Sequence, residues 1–199
     1  MKRVICLFLA VVCVFSLAAC SGQSKEEERI ERVLGRMFTC PDEELKALIE
    51  SSRMIYDAGD PAPNPEKLVE QQRAQEAYAE HLKANIFTAE DLTEEFQAKF
   101  CGELYFLTNF PVFCLEADAV LSMASVEIEC VSEENRSYAY TAELVIKMDG
   151  EEIPFMQKGK LQMSEDGRIS WIDPYVFNDL AQLFVDRINA KLAGTSWEE

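Results

Sequence analysis

Histidine is almost absent from this chain: His81 is the only one in 199 residues. Its neighbourhood, Tyr78-Ala79-Glu80-His81-Leu82-Lys83, reads as the face of a charged helix, and an exposed surface histidine is the plain expectation there. Cysteines are present, but no Cys-x-x-Cys pair occurs. Zinc-ribbon and thioredoxin-like sites therefore fail on spacing. Gly-x-Ser-x-Gly, Gly-x-Gly-x-x-Gly and Walker-type loops are also missing, as is the spaced Asp/Asn/Gly loop of a calcium site. No motif calls for a metal or a cofactor, and none names a catalytic residue. Basic residues are scarce: 19 Lys and Arg stand against 36 Asp and Glu, a formal charge of −17. Such a surface repels phosphate backbones, so nucleic acid is not an expected partner.

Long apolar runs are lacking as well. The longest, Val4–Ala19, has sixteen residues with Ser16 its one polar member. A bilayer crossing needs about 20. Preceded by Met1-Lys2-Arg3, the run has the length and flank of a secretory signal. Leu17-Ala18-Ala19-Cys20, followed by Ser21-Gly22, resembles the lipobox of bacterial lipoproteins. That resemblance covers roughly the first 22 residues. It implies that the Cys20 thiol receives a diacylglyceryl group, and that cleavage before it makes Cys20 the first mature residue. Two or three acyl chains hold a protein on a membrane where one is marginal. The expected plan is a signal peptide over 1–19, a lipidated Cys and tether over 20–25, and one domain over 26–195. Without Lys2 and Arg3 the mature chain has 17 basic and 36 acidic residues, a charge of −19. Anionic headgroups would repel it, which leaves membrane attachment to Cys20.

The first half of the domain has a helical period. Ile30, Val33, Leu34, Met37 and Phe38 form one stripe. Pro41-Asp42-Glu43-Glu44 reads as a helix start, with Leu45, Leu48, Ile49 and Ile55 or Tyr56 inward. Gly59 stops it, and Asp60–Pro65 is a stiff loop. A third helix from about Pro65 carries Leu68, Val69, Tyr78 and Leu82. Thr88-Ala89-Glu90-Asp91 resembles a capping box and opens a fourth, with Leu92, Phe96, Phe100 and Leu104 on one side; Asn109-Phe110-Pro111 lies at or after its end.

The second half alternates. Val126, Ile128 and Cys130, then Tyr138 to Ile146, then Ile153 to Met163, then Arg168–Asp173 give four strands. Asp149-Gly150 and Asp166-Gly167 supply the turns. A last helix carries Val176, Leu180, Leu183, Phe184, Ile188 and Leu192. The expected class is α+β: N-terminal helices packed on a four-stranded antiparallel meander, with an added C-terminal helix. This order, with "CPDEEL" at Cys40–Leu45 and "GKLQMSEDGRI" at Gly159–Ile169, resembles NTF2-like (cystatin-like) domains of small exported Gram-positive lipoproteins. The resemblance implies a cone-shaped sheet around helices; the final helix departs from it.

Cys40, Cys101, Cys114 and Cys130 each adjoin apolar residues and read as buried free thiols, although export permits disulfides. Tyr138, Tyr140, Phe155 and Trp171 fall on strands. They fill the core or, in a curved sheet, line a cavity for a small apolar ligand. Asp60 and Asp118 lie among small residues, and in some NTF2-like enzymes a pocket Asp is the base. The functional expectation is a membrane-anchored extracytoplasmic lipoprotein acting as a non-enzymatic binding module for an envelope protein or a small ligand. The alternative is a ligand carrier or isomerase-like enzyme with a cavity between helices and sheet.

Overall fold

The computed structural model describes residues 24–41, 43–53, 65–102, 109–173 and 178–194. Cys20, Ile55, Tyr56, Gly59, Asp60, Leu104 and Val176 lie outside them. The architecture is α+β, with helices α1 (Lys25–Met37), α2 (Glu43–Arg53), α3 (Pro65–His81), α4 (Glu94–Gly102), α5 (Asn109–Ala117) and α6 (Asn178–Ala193). The strands β1 (Val120–Ser132), β2 (Ser137–Met148), β3 (Glu151–Met163) and β4 (Ile169–Ile172) form one antiparallel sheet in that order.

Helix α1 opens with a full capping box. The Ser24 hydroxyl accepts from the Glu27 amide, and the Glu27 carboxylate accepts from the Ser24 amide. Its stripe of Ile30, Val33, Leu34 and Met37 is buried. The β2–β3 hairpin turns on two residues, Asp149 (φ 52°) and Gly150 (φ 83°). Positive φ at both central positions is the turn whose twist suits flanking strands. Strand β2 alternates strictly, with Tyr138, Tyr140, Ala142, Leu144, Ile146 and Met148 all buried against the helices.

Three elements depart from the sequence expectations. Thr88–Asp91 makes a single turn, with the Asp91 and Leu92 amides both donating to the Thr88 carbonyl. The next helix starts at Glu94, behind Thr93. The backbone explains the delay: the Ile169 amide donates to the Asp91 carbonyl and the Ile169 carbonyl accepts from the Thr93 amide, holding Asp91–Thr93 against β4 as a short extended bridge. Asn109-Phe110-Pro111 does follow α4, and it also opens a further helix, α5, that the sequence reading does not assign. Pro111 sits in its first turn, where an amide proton has no intrahelical acceptor anyway. Val69 on α3 is half exposed, not inward. After His81, α3 continues as one wider π-turn, Leu82–Ile86.

Candidate functional site

The arginines of α1 fall at positions 29, 32 and 36. That spacing of three and then four residues puts them on one flank of the helix, beside the buried stripe. All three converge on a single carboxylate. Asp91 is 1% exposed. Its Oδ1 takes Arg32 Nη2 and lies 3.6 Å from Arg29 Nε; its Oδ2 takes Arg36 Nη1 at 3.0 Å and the Thr88 hydroxyl at 3.1 Å. Arg29 also donates through Nη1 to the Gly167 carbonyl in the β3–β4 turn. Burial alone would raise the Asp91 pKa, but the Arg32 hydrogen bond and charge, with Thr88 and Arg36, outweigh it and hold the carboxyl below its usual range.

A second carboxylate closes the network. Glu26, in the first turn of α1, accepts from Arg136 Nη2 and from the Tyr138 hydroxyl. Arg136 Nη1 reaches the Glu165 carbonyl at 2.6 Å. Charged groups thus tie α1 to three parts of the sheet.

Asp91 is satisfied, but the arginines are not exhausted. Arg32 Nη1 and Arg36 Nε and Nη2 have no hydrogen-bond partner among the described residues, and the two side chains are 39% and 36% exposed. They border a groove of about 330 Å³ lined by Arg32, Gly35, Arg36, Thr39, Asn85 and Ile86. The Thr39 hydroxyl donates to the Gly35 carbonyl at 2.6 Å, which leaves its oxygen lone pairs at the groove. The Asn85 amide nitrogen lies 3.1 Å from His81 Nδ1 and keeps a second proton.

His81 itself is a correction. It is 7% exposed rather than on the surface, because it follows buried Tyr78 by three residues and shares its face. Its Nδ1 also lies 3.4 Å from Glu44 Oε1 of α2.

The four aromatic residues do not share one surface. Tyr138 and Tyr140 point to the helices, and Phe155, opposite Leu144, is on that face and half-buried. Trp171 pairs with Gln162 on the other face and is 41% exposed. The Tyr140 ring lies over Gly159, its cross-strand partner, so closely that a Cβ there would overlap it. Its hydroxyl is buried without a hydrogen-bond partner among the described residues, and burial pushes its pKa up strongly.

Cys40, Cys101, Cys114 and Cys130 are all thiols. The first three are buried; Cys130 is exposed, against expectation, because β1 is an edge strand with no fully buried side chain from Ala124 onward. Burial raises the Cys101 pKa to about 11. Asp118 is exposed (φ 54°) at a second concavity of about 340 Å³, beside Asp149, Glu151 and Glu152. That rim is acidic, with Lys147 on Glu152 at 2.8 Å and Arg187 on Asp149. Among the described residues, no three His, Cys, Asp or Glu side chains are grouped to hold a metal ion, and no helix is long and apolar enough to cross a membrane.

Sequence reasoning missed the arginine cluster. The signal was present as three arginines on one flank of an otherwise acidic helix. Comparison with protein-family models, with curated proteins and with solved structures returned no match.

Proposed function

We propose that this chain is a membrane-anchored extracytoplasmic lipoprotein whose single domain is a non-enzymatic binding module. The observation that supports binding is the arginine groove: partly exposed guanidinium groups held in place by a buried acid. Fixed donors of that kind suit recognition more than turnover. The lipobox-like order at Leu17–Cys20 supports the anchor, and the NTF2-like resemblance is carried by the helix-then-meander order. The ligand carrier with an aromatic cavity is the weaker reading, because Trp171 sits across the sheet from the other three rings.

Replacement of Cys20 tests the anchor. In a bacterial host with the lipoprotein pathway, the full chain incorporates labelled fatty acid and fractionates with membranes. Cys20→Ala loses the label. Equal labelling of both chains would sink the lipoprotein reading.

A further inference from the structure

We propose that the groove between α1 and the π-turn is a binding site for a phosphoryl group. This rests on the binding-module reading for its biological sense, but its chemistry stands on the groove alone.

Three guanidinium groups surround one carboxylate, so the Asp91 cluster keeps a surplus of positive charge. Glu28 and Glu90 also act on Arg32, but both are exposed and water-screened. The surplus lies in a domain that is otherwise strongly acidic. Unused N–H groups remain on Arg32 and Arg36, and Asn85 offers another donor from across the groove. A carboxylate offers two acceptor oxygens, whereas a phosphoryl group offers three to a set of donors spread over two walls. The Thr39 hydroxyl can accept from a protonated oxygen or turn to donate. About 330 Å³ accommodates the group and a short body against Ile86 and Gly35.

Asp91 gives the site its rigidity. Arginine side chains lose much rotamer freedom when they clamp a ligand. Here that freedom is already restricted, because each arginine is fixed to a buried acid held by Thr88 and by β4.

Two sources share this chemistry: a free phosphorylated solute and the headgroup of an anionic phospholipid. From Cys20 to Ser24 the chain spans at most about 14 Å, and Arg36 lies about 17 Å along α1 from Lys25. The anchor therefore keeps the groove within a few nanometres of headgroups.

The test uses the full chain, solubilised in a neutral maltoside detergent at low ionic strength. Inorganic phosphate is titrated by calorimetry, and phosphatidylcholine vesicles with and without phosphatidylglycerol supply the second arm. Saturable binding of phosphate is expected, weakened about tenfold or more by Arg36→Gln and by Asn85→Asp. Asn85→Asp leaves the Asp91 ion pairs in place, and unchanged thermal unfolding shows that the fold survives. Preference for phosphatidylglycerol vesicles, lost in the same variants, identifies the headgroup as source; phosphate binding without that preference identifies a solute. No saturable binding in either arm, or binding indifferent to both substitutions, overturns the proposal. Cys20→Ala protein retains phosphate binding if the groove is right, so failure of the anchor and failure of the site give different results.

Discussion

At the scale of single residues, Asp91 matters most. It is a buried acid whose removal leaves three arginines facing one another. Asp91→Asn should cost about 3 kcal/mol, the low end for a buried pair because the arginines keep part of their hydration. Urea unfolding at neutral pH measures it. Because its folded pKa is depressed, the stability Asp91 supplies is fully present above its unfolded value, about 4, and is lost as pH falls through the folded one. The gap between wild type and Asp91→Asn should therefore narrow on acidification. A constant gap down to pH 2 would mean that the charge is not what stabilises. None of this was legible beforehand. Asp91 reads as a cap because Thr-x-x-Asp before an apolar residue is a local pattern. Its arginine partners lie 55 to 62 residues away, on α1.

Elements were far more legible, for a physical reason. The period of two in β2 and the Asp149-Gly150 turn are local facts, and the hairpin forms with those residues at its tip. The stripe of α1 is likewise local. What failed were boundaries settled by tertiary contacts: the start of α4, displaced by pairing with Ile169, and helix α5, whose Pro111 reads as a breaker. Gly159 belongs to this scale. In sequence it is one more position in a strand; in the sheet it is the floor under the Tyr140 ring. Gly159→Ala must tilt that ring or part β2 from β3, at about 1–3 kcal/mol. A lower urea midpoint is expected. A midpoint equal to wild type would show that the core has room the packing denies.

For the molecule as a whole, one face of the sheet is covered by helices and the edge strand β1 is only partly covered. That difference separates the cysteines. Under native, unreduced conditions a maleimide should modify Cys130 within minutes and spare Cys40, Cys101 and Cys114, which react once the chain is denatured. Peptide mass mapping reads the outcome. Rapid native labelling of Cys101, whose pKa is raised by burial, would contradict the packing of α4. The class of fold followed from the sequence because helices-then-meander is an ordering of local periods. The functional site did not, because it is built between the ends of that order.

That last fact bears on how the site is braced. Arg29 bonds the Gly167 carbonyl 138 residues later, and Asp91 is locked to Ile169 in the final strand. The cluster behind the groove therefore has two ties to the far end of the sheet, one on Arg29 and one on the Asp91 backbone. A chain that stops short of β4 carries the same three arginines and Asp91 but lacks those two ties. The strand that closes the sheet thus also braces an acid whose arginine partners sit toward the opposite end of the sequence.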